Sequence, residues 1–135
     1  MWREFSIQTR RPTEFLSITN LVEEAVNASG VREGACTIFV PHTTAGVTIN
    51  ENADPDVATD LERALAGMVP TGPYRHREGN SPAHLRALLC GASLTVPVSG
   101  GRLGLGTWQG IYFCEFDGPR HRKVKVGCYV GWGLD

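Results

Sequence analysis

Long apolar runs, an excess of one charge, closely spaced cysteines and low-complexity tracts are all missing from this 135-residue chain, and each absence narrows what it can be. No stretch approaches the roughly 18 apolar residues of a membrane span. Met1-Trp2-Arg3-Glu4-Phe5 opens without the apolar core of a secretory signal, so a soluble, cytoplasmic protein is expected. The 13 lysines and arginines almost balance the 14 aspartates and glutamates, leaving a net charge of −1. That balance removes the bulk attraction on which nonspecific nucleic-acid binding depends, and neither nucleic acid nor membrane is an expected partner. The four cysteines, Cys36, Cys90, Cys114 and Cys128, form no C-x-x-C pair and read as buried free thiols rather than disulfides or metal ligands. There is no repeat or linker. What remains, with 41% hydrophobic and 20% charged residues, is an ordinary globular composition. The length lies within the usual range of about 100 to 200 residues for one domain, so a single unit over 1–135 with its own core is expected.

Apolar spacing defines the elements. Ile18, Leu21, Val22, Ala25 and Val26 follow an i, i+3, i+4 rule between Thr19, a suitable N-cap, and Gly30, a suitable stop; a helix over 19–29 is predicted. Asp54-Pro55 starts a second helix with an acidic cap and a proline in the first turn, and Val57, Ala58, Leu61 and Leu65 supply its inner face. Ser81-Pro82 repeats the device for a third, with Leu85, Leu88 and Leu89 inward and Gly91 at its end. Elsewhere the period is two. Phe5/Ile7, Leu94/Val96/Val98 and Val124/Val126/Cys128/Val130 alternate as half-buried strands. Residues 35–40 and 110–116 are apolar on both faces and suit strands covered on both sides. Short helices among closely spaced strands predict an α+β domain with a largely antiparallel β-sheet. The glycine-rich run 100–106 has neither the order of a nucleotide loop nor a helix after it, and reads as a strand connection.

Three of the four histidines stand at element ends, where functional groups ride on a rigid scaffold. His42 follows the strand that ends at Val40, His76 lies in the loop 74–80, and His84 occupies the first turn of the third helix. A Gly-Asn-Ser-Pro turn bridges His76 and His84, which can share one site. Neutral imidazoles are common zinc ligands, and three protein ligands plus a water make a catalytic site with an open position. His42, His76 and His84 are therefore the candidate ligands of a divalent metal, although their spacing matches no standard zinc signature. His121, between Arg120 and Arg122, reads as a capping or solvent-facing residue. If residues 47–50 form a strand, Asn50 and Glu51 emerge at its end, and Glu51 is the candidate general base or the carboxylate that orients a metal-bound water. Asp54 is read as a helix cap. The hydroxyls of Thr43 and Thr44 and the free N–H groups beyond Ser81 can hold a phosphate, while Trp108 and Gln109 offer an aromatic face and an amide to a pocket. In the basic run Arg120, Arg122, Lys123 and Lys125, alternation puts the two lysines on a solvated face. Arg120, after the turn Asp117-Gly118-Pro119, is the candidate to grip a substrate oxyanion or a subunit carboxylate.

Taken together, residues 41–55 (PHTTAGVTINENADP), 76–85 (HREGNSPAHL), 105–110 (LGTWQG) and 115–120 (EFDGPR) resemble the YjbQ-like family, often labelled secondary thiamine-phosphate synthase. The resemblance spans about 19–126. It implies a compact α+β subunit, one YjbQ-like domain assembled as a homotrimer, with the histidine segments in a pocket near subunit contacts. It carries over His42, His76 and His84 as site residues, and Glu51, Asn50, Glu78, Asn80, Trp108, Gln109 and Arg120 as further ones. The tail 127–135 matches no motif. The label implies a weak ability to join an aminopyrimidine diphosphate to a thiazole phosphate, with release of pyrophosphate. Diphosphate chemistry normally uses magnesium held by oxygens, whereas three imidazoles favour zinc or another late transition metal, so the labelled reaction also reads as a side activity. Three readings stand: a trimeric metal-site enzyme forming thiamine phosphate, a zinc-dependent hydrolase of a small phosphorylated or amide metabolite, and a noncatalytic trimer that binds a metabolite or anion.

Overall fold

The computed structural model describes residues 2–131, so residues 132–135 of the unassigned tail lie outside the described residues. Eight strands and three helices follow in the order β1 (Trp2–Gln8), β2 (Glu14–Ser17), α1 (Thr19–Ser29), β3 (Gly34–Phe39), β4 (Ala45–Glu51), α2 (Pro55–Met68), α3 (Ser81–Cys90), β5 (Ser93–Ser99), β6 (Arg102–Leu103), β7 (Gln109–Glu115) and β8 (His121–Val130). They form two wholly antiparallel sheets, β1-β8-β3-β5-β6 and β2-β7-β4. The α+β class, the three helices and the predicted strands are all present. β2 and β6, of four and two residues, are too short for an alternation signal.

The smaller sheet is the middle layer. Its central strand β7 alternates Ile111 and Phe113 into the main core, shared with the larger sheet and α1, against Tyr112 and Cys114 into a second cluster beneath α2 and α3. An apolar run on both faces is thus satisfied, as expected for residues 110–116. β3 departs from that expectation. Its inward Cys36 and Ile38 are fully buried, but Ala35, Thr37 and Phe39 lie on the outer face of the larger sheet, which no element among the described residues covers and which also leaves Trp2 and Tyr129 exposed.

α1 and α2 turn their predicted faces inward, that of α2 only half-buried, whereas α3 does not, and two predicted caps are displaced. α1 buries Val22, Ala25 and Val26 and stops at Gly30 in the left-handed conformation (φ 72°). Thr19, however, is not its cap: the hydroxyl accepts the N–H of Ile111 at 2.9 Å, tying the helix start to β7. In α2, Asp54 caps as expected, accepting the Asp56 N–H at 2.9 Å. α3 is capped in position by Asn80 rather than Ser81, with no side-chain cap bond. It buries Ala83 and Ala87, whereas Leu88 is 75% and Leu89 54% exposed. The reason is close approach. A Cβ on Gly46 of β4 would lie 3.1 Å from the Cys90 Sγ and 2.5 Å from the Gly91 carbonyl oxygen, so only the alanine stripe of α3 fits against the small sheet. The glycine-rich run is a strand connection, as predicted: Gly100 and Gly101 turn β5 into β6 with φ of 58° and 76°. All four cysteines are free thiols. Among the described residues no helix is long and apolar enough to cross a membrane.

One buried ion pair joins the layers. The Glu115 side chain, at the end of β7, is 0% exposed, and that of Arg122, at the start of β8, is 6% exposed. Arg122 Nε donates to Glu115 Oε1 at 2.8 Å, and Nη2 to Glu115 Oε2 at 2.5 Å and to Thr44 Oγ1 at 2.8 Å. Glu115 also accepts from the Thr9 hydroxyl at 2.8 Å and from the Asp117 N–H at 2.9 Å. Burial alone would raise the Glu115 pKa, but the hydrogen bonds from Arg122, the Asp117 amide and Thr9 outweigh it and hold the carboxyl below its ordinary 4.5. Because the folded pKa lies below the unfolded one, this contribution to stability is complete above about pH 4.5 and is lost as the pH falls through the folded value. Removing one partner leaves a buried, unpaired charge. Arg122→Met is therefore expected to lower the unfolding free energy by about 3–5 kcal/mol at pH 7 in urea titrations, with the deficit shrinking as Glu115 is protonated in acid. A deficit under about 1 kcal/mol at pH 7 would contradict a desolvated pair.

Candidate functional site

The polar network continues outward from the ion pair into the segments singled out by sequence. Past Glu115 the chain makes the turn Asp117-Gly118-Pro119. A Cβ on Gly118 would stand 2.3 Å from the Arg11 carbonyl oxygen and 2.8 Å from the Glu115 Cγ, so glycine is required for the chain to pass so close to the pair. Asp117 Oδ2 accepts from Asn80 Nδ2 and from Arg120 Nη2, each at 3.0 Å, and the Asp117 carbonyl accepts from Arg120 Nε at 2.7 Å. Burial opposes the Asp117 charge, yet the bonds from Asn80 and Arg120 hold its pKa below the ordinary value. Asn80 Oδ1 is buried with no hydrogen-bond partner among the described residues. The backbone N–H of Arg120 is fixed separately, by donation to the Thr9 hydroxyl at 2.8 Å. Arg120 is thus held by its backbone and by two side-chain nitrogens, while its side chain remains 51% exposed.

His42 lies near Arg122 of the ion pair. Its Nε2 accepts the Lys123 N–H at 2.9 Å, which assigns the proton of the neutral ring to Nδ1. Burial, then the charge of Arg122, lowers its pKa from 6.5. Of the two adjacent threonines, Thr43 is exposed, whereas Thr44 is buried with its hydroxyl given to Arg122. Thr44 is therefore part of the support and leaves Thr43 as the outward hydroxyl. His76 and His84 meet edge to face with ring centroids 5.6 Å apart, and Glu78 Oε1 lies 3.6 Å from His76 Nε2. Ser81, half-buried, opens α3 directly after Asn80. His121 is exposed, as expected.

Glu51, Asn50, Trp108 and Gln109 form a second group. Glu51 pairs in register with Gln109 at the far end of β4, and the Asn52 N–H donates to the Trp108 carbonyl at 2.8 Å. Tyr112 donates its hydroxyl to the Glu51 carbonyl at 2.8 Å and lies 3.1 Å from Asn52 Oδ1. The Asn50 side chain accepts the Glu51 N–H at 2.7 Å, and Gln109 Oε1 accepts the Gly106 N–H at 2.8 Å. The strand from Ala45 to Glu51 spans about 20 Å at the usual rise. Within one chain, Glu51 thus lies at the opposite end of β4 from His42.

The donor set for a metal can be tested against this geometry. His76 and His84 are adjacent, but the Nε2 lone pair of His42 is engaged by the Lys123 amide. Among the described residues no three His, Cys, Asp or Glu side chains are grouped to hold one ion. The three-imidazole set is therefore not assembled by one chain. Sequence reading also passed over Asp117, Glu115, Thr9 and Tyr112, and treated Arg122 only as part of a basic run. The signal for Glu115 and Arg122 was parity, since they fall two positions from, and so in phase with, the inward residues Phe113 and Val124.

Fold and site together define a small α+β protein of two antiparallel sheets, with a histidine- and arginine-bearing polar cluster at one end of its middle layer. The family model described as "UPF0047 protein YjbQ-like" matches residues 3–130, and the chain belongs to that family. It is 49% identical over 132 residues to the UPF0047 protein YugU of Bacillus subtilis (strain 168), covering 96% of this chain and 97% of that one. A crystal structure of a YjbQ/UPF0047-family protein from Clostridium acetobutylicum superposes with a TM-score of 0.92 at 54% identity, over 94% of this chain and 99% of that chain. A YbjQ-like protein of unknown function from Sulfolobus solfataricus P2 gives a TM-score of 0.90 at 34% identity, over 95% of each chain.

His42 is expected to titrate below 6.5 in an NMR pH series, with Nδ1 protonated in the neutral form, because cost of burial and Arg122 both disfavour the cation. A midpoint at or above 6.5 would contradict the effect of burial and Arg122, and the opposite tautomer would contradict the Lys123 contact.

Proposed function

We propose that the chain works as a homotrimeric enzyme on a small phosphorylated heterocycle, with the thiamine-phosphate-forming condensation of the secondary thiamine-phosphate synthase type as its reaction. The observation that carries this reading is a pair of adjacent imidazoles, His76 and His84, on the segment whose Asn80 accepts the His84 backbone N–H at 3.3 Å and donates to Asp117, the residue that anchors the Arg120 guanidinium. Imidazoles exchange protons near neutral pH. A guanidinium fixed at one side offers its remaining N–H groups to phosphate oxygens, and a departing pyrophosphate is the anion such a group stabilises. Thr43 and the first turn of α3 are further anion donors in this reading.

The distant Glu51 group enters only through another copy. About 20 Å of strand separates it from His42, more than a small metabolite bridges. A head-to-tail contact in a closed ring brings one end of β4 near the other end in the neighbouring copy, and Glu51, Asn50, Trp108 and Gln109 then line the second side of the pocket. Exposed Met68, Leu88 and Leu89 on α2 and α3 supply apolar area for that contact. A divalent ion belongs to this reading on the same terms: His76 and His84 offer two donors and a neighbour must complete the set, with zinc favoured by imidazole and magnesium by a diphosphate substrate. Buried free thiols suit a cytoplasmic location.

Incubation with an aminopyrimidine diphosphate and a thiazole phosphate is expected to yield thiamine phosphate and pyrophosphate. Arg120→Ala and His84→Ala should each lower kcat/KM by about 100-fold or more, and sedimentation should give a trimer. Release of phosphate without condensation would select the hydrolase, and tight binding without turnover the noncatalytic trimer. Zinc that survives both His76→Ala and His84→Ala would remove those rings from any ligand set.

A further inference from the structure

The four free thiols are not scattered: Cys36 and Cys128 face each other across β3 and β8 as register partners. Their sulfurs are 3.4 Å apart, with the Cys128 S–H directed at Cys36. Directly opposed residues in an antiparallel pair have Cα atoms about 4.5 or 5.5 Å apart, inside the window of about 4.4–6.8 Å that a disulfide requires. The backbone is therefore already placed for a bond, and side-chain rotation can close the remaining gap. The environments of the two sulfurs differ. Cys36 is fully buried in the main core, and burial and Cys128 raise its thiol pKa. Cys128 is half-buried and lines a cleft of about 350 Å³ between Trp2 and Arg3 of β1 and Ala25, Ala28 and Ser29 of α1. A small reagent entering that cleft meets Cys128 first.

We propose that Cys36 and Cys128 are a site of reversible oxidation, in which Cys128 reacts with a peroxide and Cys36 resolves the product into a disulfide between β3 and β8. The Cys128 sulfur attacks one peroxide oxygen, the O–O bond breaks, and one water leaves as Cys128 becomes a sulfenic acid. The Cys36 sulfur then attacks the Cys128 sulfur, the S–O bond breaks, and the hydroxyl departs with the Cys36 proton as a second water. Two thiols are oxidised to one disulfide, and the peroxide is reduced to two waters. The bond staples the centre of the larger sheet to β8, the strand that also carries Arg122 and Lys123.

The test is peptide mapping of the full chain after treatment with hydrogen peroxide under non-reducing conditions. The expected result is a loss of two titratable thiols, a single linked peptide joining Cys36 to Cys128, and recovery of both thiols with a dithiol reductant. In Cys36→Ser, Cys128 should remain at the sulfenic stage and be trapped by dimedone. The map of the unaltered protein decides the matter even if that variant folds poorly. Peroxide treatment that leaves Cys36 free overturns the proposal, whether all four thiols persist, Cys90 joins Cys114 instead, or Cys128 is oxidised alone.

Discussion

The Glu115–Arg122 pair fixes the turn that carries Asp117 and Arg120 and the segment that carries His42 and Thr44. Two desolvated charges cost more to bury than a pair of apolar side chains of similar size, so the pair is a poor device for stability as such. Its partners show what it does instead. The carboxylate accepts from the Thr9 hydroxyl and the Asp117 amide, and the guanidinium donates to the Thr44 hydroxyl. The turn 117–120, the segment 42–44 and the chain after β1 are thereby fixed to one point at the end of the middle sheet. Asn80, Arg120 and His42 each lie one hydrogen bond beyond that frame or beside it.

This arrangement divides the site by distance. Groups anchored near Glu115 can act on one ligand, while the group around Glu51 is anchored to the other end of the β4–β7 pair. A strand is stiff and its length is set by residue count, so no side-chain rearrangement brings the two ends together in one copy. Completion by a neighbour follows from that rigidity in the functional reading given above. In that reading the leucines that α3 leaves exposed form part of the contact.

Much of this was legible in the sequence. Periodicity located all three helices and β1, β5 and β8, which follow patterns of 3.6 or 2, whereas β3 and β7 showed only as runs apolar on both faces and β4 only as a conditional strand. The inner face of α3 was misread because leucine is the more apolar choice; what selected alanine was the proximity of Gly46, a contact distant in sequence. Thr19 and Ser81 looked like caps for a similar reason. Local chemistry favoured them, but tertiary hydrogen bonds gave Thr19 to β7 and made Asn80 the boundary residue. His76 and His84 were correctly read as neighbours across a short turn. His42 and Glu51 were grouped by nearness in sequence, and an intervening strand separates what nine positions of chain suggest is close. The ion pair itself was missed although its parity was visible: a charged residue in phase with core positions on two strands signals an inward pair.

The most direct measurement compares Arg122→Met with the double variant Glu115→Leu/Arg122→Met, following urea unfolding and amide exchange at Asp117, Arg120 and Lys123. If the pair serves to position the site, the double variant regains most of the stability lost by the single one. Its three amides should nevertheless exchange at least about tenfold faster than in the parent, a loss of about 1.4 kcal/mol of local protection. A stable double variant whose amides remain as protected as the parent's would contradict this role, because the site would then hold its geometry without the buried charges.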